Sequence, residues 1–215
     1  MAEFFIGLGN KNYSSWSLRG WLVLAACGTD FEEEVIPLDL PETKARLKAL
    51  SPTARVPFLR HGELLIPDSL AIAEYLAELF PKAGLWPNDR ATRARARAVT
   101  CEMHSGFAAL RAELPMAIRE AFPGRSFSEA VQDDIARVIE IWEDCRRNFG
   151  AGGPFLFGGF TIADAFYAPV VTRFRTYGIP LPERAEAYAQ AILERRDMQR
   201  WVAAAKAEPW VIENP

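Results

Sequence analysis

The chain opens on an apolar run, Phe4 to Gly9, in which polar and apolar positions do not alternate, the pattern of a strand covered on both faces. A polar turn, Asn10 to Ser15, leads into a predicted helix. Its broad apolar faces carry Trp16, Leu18, Trp21, Leu22, Leu24 and Ala25, and Gly28 marks its end. Phe31 to Pro37 reads as a second strand. Leu40 to Leu50 reads as a shorter helix, with Lys44, Arg46 and Lys48 turned to solvent or to an anion. Val56-Pro57-Phe58-Leu59 opens a hairpin that turns at Arg60-His61-Gly62-Glu63 and returns as Leu64-Leu65-Ile66, stopped by Pro67. Asp68-Ser69 then stands immediately before a helical run, Leu70 to Leu76. The first eighty residues therefore predict the order β-α-β-α-β-β-α. The first two strands should be parallel and the hairpin antiparallel, giving a mixed sheet in a layered fold.

Beyond this point the period changes. Pro81 to Pro87, with Gly84 and Trp86 inside it, interrupts the pattern, so the chain divides into residues 1–80, a linker at 81–89 and an all-helical part at 90–215. Arg90 to Ile118 predicts a long helix with Val99, Met103, Phe107, Leu110 and Leu114 at helical spacing, ended or bent by Pro115. After the break at Pro123-Gly124-Arg125-Ser126, Ser126 or Ser128 is available to cap a helix striped by Ile135, Val138, Ile139, Trp142, Cys145 and Phe149. Gly150 to Gly159 is a glycine-rich turn without phosphate-binding spacing. Thr161-Ile162-Ala163-Asp164 reads as a capping arrangement for a helix through Phe174 in which Pro169 predicts a bend. Ala185 to Arg195 and Met198 to Lys206 close the helical series.

Composition narrows the class. Half of the 215 residues are apolar, ample for a substantial core, and a net charge of -3 argues against nucleic acid as the main partner. Cys27, Cys101 and Cys145 are odd in number and widely spaced, each in an apolar or helical setting, as expected of reduced core residues in a cytoplasmic protein. Two histidines, His61 and His104, give no metal-ligand spacing, and no apolar run is long enough to span a bilayer. The opening Met-Ala-Glu lacks the basic segment of a signal peptide.

The stretch from Ser51 to Ser69 carries the candidate chemistry. Pro57 holds Val56 extended, leaving a backbone rung that a ligand can use. Asp68-Ser69 puts a carboxylate and a hydroxyl at a helix N-terminus, a clamp suited to a small peptide-like ligand with an ammonium and carboxylates. A plain β-hairpin followed by a capped helix explains the same residues without any ligand.

Val56-Pro57, Asp68-Ser69 and Phe160-Thr161-Ile162-Ala163-Asp164-Ala165, in this order around a break between two parts, resemble the cytosolic glutathione transferase family across nearly the whole chain. The resemblance implies a thioredoxin-like mixed-sheet domain followed by a helical-bundle domain, with glutathione as cosubstrate, a small electrophile as second substrate, and a homodimer. Asn12-Tyr13-Ser14-Ser15-Trp16-Ser17-Leu18-Arg19 looks like the serine-dependent classes, nearest to the zeta class and of bacterial type. There a serine opening the first helix donates a hydrogen bond to the glutathione thiolate. Ser14 is the first choice for that role, Ser15 the second, and Tyr13 a rival or a wall residue. The zeta class usually has cysteine where this chain has Trp16. A free thiol titrates near ~8.5, so a hydroxyl donor and a helix N-terminus favour the anion without acting as a base. By the same resemblance Val56 pairs with the cysteinyl amide, Pro57 is cis, Asp68 and Ser69 hold the γ-glutamyl end, and Lys44 is the candidate for the glycyl carboxylate. Met103, Phe107, Tyr167 and Arg173 are candidates for the electrophile wall, while Thr161 and Asp164 are a structural capping box. Thiol conjugation to a small apolar electrophile is the leading expectation. Glutathione-dependent cis–trans isomerisation, as in maleylacetoacetate isomerase, and a noncatalytic interaction module are the alternatives.

Overall fold

The computed structural model describes residues 3–213. Four strands, β1 (Phe4–Leu8), β2 (Phe31–Val35), β3 (Phe58–His61) and β4 (Leu64–Pro67), alternate with α1 (Ser15–Ala26), α2 (Thr43–Leu50) and α3 (Ser69–Leu79) as the pattern predicted. The sheet order is β2-β1-β3-β4, with β1 and β2 parallel and the other pairs antiparallel. Both faces of the sheet are covered. Phe4, Ile6, Leu8 and Leu59 join the main core, whereas Phe58, with Phe5 and Leu65 packed beside it, forms a separate cluster with Ile36 and Leu47. That division follows the two-residue period of a strand. Gly7 belongs to the same arrangement, because a Cβ there would sit 2.2 Å from the Phe58 ring.

A short 3-10 turn, Pro81–Ala83, precedes α4 (Arg90–Ser105), α5 (Ala108–Glu113), α6 (Glu129–Phe149), α7 (Ile162–Tyr177), α8 (Glu183–Glu194) and α9 (Arg196–Ala207). The fold is thus a thioredoxin-like mixed-sheet domain followed by an all-helical bundle. Helix α7 is buried along almost its whole length and packs on α1, α4 and α8. Trp142 of α6 gathers Tyr167, Phe174 and Tyr188 around it, with ring centroids 6.1, 5.4 and 4.9 Å away.

Three expectations need correction or refinement. The predicted helix from Arg90 to Ile118 is two helices. Its apolar stripe continues, but Phe107 adopts a left-handed backbone (φ 59), and Arg111 turns back to the carbonyls of Gly106, Met103 and His104 at the end of α4. Cys101 is exposed and so is not a core residue, while burial pushes the thiols of half-buried Cys27 and buried Cys145 up to about 12. Pro169 lies inside α7, which continues as a helix on both sides of it.

Candidate functional site

A cleft of about 740 Å³ opens between the start of α1, the segment before β3 and the start of α3. Its lining includes Trp16, Leu38, Thr53, Arg55, Val56, Pro57, Asp68 and Ser69. Val56-Pro57 is cis, which places Pro57 under Gly20 of α1 (3.2 Å to a Cβ built there) while Val56 faces the cleft. Asp68 caps α3, accepting from the amides of Leu70 at 2.7 Å and Ala71 at 3.1 Å. It does so at φ 91, a backbone strained by about 1–3 kcal/mol for a residue with a Cβ. Such strain is commonly kept where a ligand uses the geometry. Ser69, the next residue, is buried, and its hydroxyl has no partner among the described residues. A buried hydroxyl left unpaired costs about 1–3 kcal/mol, a cost that a ligand acceptor would remove.

Ser14 is the N-cap of α1. Its Oγ accepts from the Ser17 amide at 3.3 Å and lies 2.8 Å from Ser17 Oγ, which itself accepts from the Gly9 amide at 2.9 Å. Ser15 opens the helix as its first residue, its amide donating to the Tyr13 carbonyl at 3.1 Å. Both serines are largely buried, and neither borders the main cleft; the residue of α1 that does is Trp16. Tyr13 lies on the other side of the turn, with Arg119 and Glu120 at its hydroxyl.

Trp16 leads to a cationic group that the sequence reading underweighted. The Arg19 guanidinium stacks 4.5 Å from the Trp16 ring and 5.2 Å from Phe166, and Arg111 stands 4.9 Å from Trp16. Arg19 is fully buried and none of its three side-chain nitrogens has a partner among the described residues. Burial, with the like charges of Arg111 and Arg173 nearby, holds its pKa well below the usual arginine range. Arg173 donates from Nε to the Leu114 carbonyl at 2.7 Å and keeps an unpartnered Nη1; burial and Arg111 push it down to about 9. His104 meets Trp16 edge-on at 5.3 Å, and its Nε2 is 3.7 Å from Asp68. Its Nδ1 is buried without a partner, and burial lowers its pKa. The signal for Arg19 was present in the sequence, since it interrupts the apolar face of Leu18, Trp21 and Leu22 with a charge. Arg111 gave none, because a long α4 places it on an ordinary polar face.

The other predicted residues fall in different places. Lys44 is exposed on α2 and outside the cleft lining, where Thr53, Ala54 and Arg55 stand instead. Met103, Phe107 and Tyr167 are packed into the main core, with the Tyr167 hydroxyl donating to the Val99 carbonyl at 3.1 Å. A helix stripe at this spacing faces the bundle before it faces any ligand. Thr161 and Asp164 form the capping box. Asp164 accepts from the Thr161 amide and hydroxyl at 2.7 and 2.9 Å and from the Leu156 amide at 3.0 Å. Among the described residues no group of His, Cys, Asp and Glu side chains could hold a metal, and no helix is long and apolar enough to cross a membrane.

Residues 13–79 match the model of the glutathione S-transferase N-terminal domain, and residues 94–204 that of the C-terminal domain. A probable maleylacetoacetate isomerase of Caenorhabditis elegans is 40% identical over 97 residues, 45% of this chain and 44% of that protein. Glutathione S-transferase L1 of Arabidopsis thaliana is 26% identical over 74% of this chain and 62% of its own length, so these alignments span less than two thirds of either relative. Arabidopsis thaliana glutathione S-transferase Z1 is 27% identical over 83% of this chain and 85% of its own. Among solved structures, a glutathione transferase homolog from Burkholderia gl BGR1 with bound glutathione superposes with a TM-score of 0.72 at 26% identity, covering 95% of this chain and 99% of that one. With both domain models matched in order over most of its length, the chain belongs to the glutathione S-transferase family.

Proposed function

We propose that this protein binds glutathione in the cleft beside Val56-Pro57 and Asp68-Ser69, stabilises its thiol as the thiolate, and directs it at a small electrophile. The observation that carries this reading is the orphaned Ser69 hydroxyl beside the strained Asp68 cap. One unsatisfied donor, one carboxylate and the N-terminus of α3 suit the carboxylate and ammonium of a γ-glutamyl group. Val56 offers its backbone to the cysteinyl amide, and Thr53 or Arg55 lies nearer than Lys44 for the glycyl end.

Ser14 supplies the thiolate's hydrogen bond in this reading. Hydroxyl protons rotate freely to suit their partners. If Ser17 Oγ donates to Ser14 Oγ, the Ser14 proton is released to point at sulfur. Ser14 then accepts from the Ser17 amide and hydroxyl while donating outward, and the Gly9 amide polarises the chain from behind. The bound thiolate attacks the electrophilic carbon, and the enzyme contributes proximity and anion stabilisation. Lowering a thiol pKa by two units requires roughly 2.7 kcal/mol of preference for the anion.

The unpartnered nitrogens of Arg19 and Arg173, with Arg111 beside them, favour a second reading. Cations packed against Trp16 and Phe166 would suit an acidic electrophile, as in glutathione-dependent isomerisation. This also motivates placing the chain nearest to the serine-type, zeta-like classes, as a bacterial member. We place the glutathione half-site in residues 1–80 and the electrophile wall in 90–215, in a cytoplasmic homodimer that sedimentation equilibrium would test.

Ultraviolet difference titration of bound glutathione against pH, for wild type, Ser14→Ala and Ser15→Ala, tests the reading. Wild type should hold the thiol about two units below its free value. Ser14→Ala should return it to within about half a unit of free glutathione, with binding retained. An unshifted thiol in wild type sinks thiol activation, and a loss confined to Ser15→Ala moves the role to Ser15. Faster turnover of a carboxylate-bearing electrophile than of its neutral amide would favour the second reading.

A further inference from the structure

We infer that Glu208, near the far end of the chain, positions the turn that presents Ser14, making the C-terminal segment a strap on the glutathione site. Asn10, Lys11 and Asn12 are polar, yet all three are buried. A buried turn must find partners for its backbone groups, and those of Lys11 and Asn12 come from distant parts of the chain. The Glu208 carboxylate takes both consecutive amides, Lys11 N–H at 2.6 Å on Oε1 and Asn12 N–H at 3.1 Å on Oε2. The Lys11 carbonyl accepts from Trp201 Nε1 of α9 at 2.9 Å. The Asn12 carbonyl accepts from the Ile118 amide at 3.3 Å, and its side-chain oxygen from the Arg119 amide at 2.9 Å. Arg119 in turn ties the strap down, donating to the carbonyls of Glu208 at 2.6 Å and Trp210 at 2.7 Å. Within the turn itself, the Asn10 carbonyl accepts from the amides of Tyr13 and Ser14, and the Tyr13 carbonyl from the Ser15 amide at 3.1 Å.

Local hydrogen bonds shape the turn, but Lys11 and Asn12 are anchored from outside it. Its position, and hence that of Ser14 two residues beyond Asn12, is set by the Glu208 and Trp201 side chains and the Ile118 and Arg119 amides. One carboxylate bridging two adjacent amides is a charge-assisted, two-point contact, which fixes direction as well as distance. A shift of a few tenths of an ångström in the turn would move the Ser14 hydroxyl against a bound sulfur, where a misplaced donor stabilises the anion poorly. Glu208 touches no reacting atom; it is a positioning residue. This rests on the reading of Ser14 as the thiol's donor, and the test below separates the two.

The variants are Glu208→Gln, which keeps the shape but loses the charge, and Glu208→Asp as the conservative control, both in the full chain. Four readouts apply: glutathione thiol pKa, kcat and KM with a standard chloronitrobenzene electrophile, melting temperature, and amide exchange of residues 10–14 without ligand. Glu208→Gln should raise the bound thiol pKa by about one unit, which corresponds to about a tenfold lower thiolate fraction below that pKa. Turnover should fall by about fivefold near pH 6.5, approach about a tenfold loss at lower pH and recover as pH rises, while the KM for glutathione changes less than about threefold. Exchange should quicken in residues 10–14 and not elsewhere, and Glu208→Asp should restore part of each loss. A Glu208→Gln protein with wild-type thiol pKa and wild-type exchange at 10–14 overturns the inference. So does one whose only change is a lower melting temperature. If wild type itself fails to depress the thiol, the reading of Ser14 fails, and exchange decides the strap: quickening confined to 10–14 supports it and unchanged exchange overturns it.

Discussion

At the scale of single residues the proposed thiol activation depends on where one hydroxyl proton points. Ser14 cannot serve both as the donor to Ser17 and as the donor to sulfur, so activation in this geometry needs Ser17 Oγ to reverse its role with Ser14. Ser17→Ala removes that return donor and leaves the Gly9 amide unpaired, while Ser14 still caps α1 through the Ser17 amide. The expected result is a bound thiol pKa raised by roughly half to one unit, corresponding to about 0.7–1.4 kcal/mol, with glutathione affinity little changed. Ultraviolet titration measures it, and an unchanged pKa would mean that Ser14 donates without help. Ser14 stood out as a candidate because its neighbours form a recognisable motif, and the structure shows it as the N-cap of α1. Ser17 did not stand out, because its partner Gly9 is set by how β1 meets α1, and spacing in a polar turn does not encode that meeting. The same limit hid Arg111, whose place beside Trp16 depends on the break after α4.

At the scale of elements, what was readable is what local chemistry determines. The capping box at Thr161-Asp164 was legible from four residues, and it starts the most buried helix of the bundle. The end of α4 was missed because Met103, Phe107 and Leu110 continue a regular apolar stripe through the break; Gly106 leaves the helix as an extended C-cap, followed by the left-handed Phe107 and the carbonyls claimed by Arg111. The box yields a sharp expectation about pH. Burial pushes the Asp164 carboxyl up from an unfolded value of 3.8 to about 6, against the hydrogen bonds it accepts. A carboxyl whose folded pKa is raised favours the fold while protonated. That contribution is complete below 3.8 and disappears as pH rises through about 6. The difference in unfolding free energy between wild type and Asp164→Asn, from urea denaturation at a series of pH values, should therefore fall by on the order of 3 kcal/mol between these limits. A difference that stays flat, or rises with pH, would show that the three donors outweigh burial. Asp164→Ala at neutral pH should cost about 2–4 kcal/mol, since it strands the Thr161 and Leu156 amides in the interior.

At the scale of the whole molecule, the two halves share one hydrophobic core. It runs from Phe4, Ile6 and Leu8 of the sheet through Leu18 and Trp21 of α1 into Phe166, Val170 and Trp201 of the bundle. Trp21 and Trp201 lie 5.3 Å apart across the junction, the Ile162 amide at the start of α7 donates to the Leu85 carbonyl at 3.0 Å, and Arg19 is buried against Phe166. Removing the bundle would therefore expose the apolar face of α1 and strand a charged guanidinium that now sits between rings. The sequence pattern divided the chain at residues 81–89 but did not show how the parts meet, because hydrophobic periodicity reports which face is covered and not what covers it. From the shared core we expect the halves to unfold together. Guanidinium denaturation followed by far-ultraviolet circular dichroism, which weighs the helical bundle, should coincide with tryptophan fluorescence, to which the Trp21–Trp201 contact contributes. In a homodimer the shared midpoint should also rise with protein concentration. Two separated transitions would mean that the junction adds little. The proposed site, with its glutathione half in residues 1–80 and its electrophile wall in 90–215, would then have to assemble on ligand binding, and glutathione at saturating concentration should draw the two transitions together.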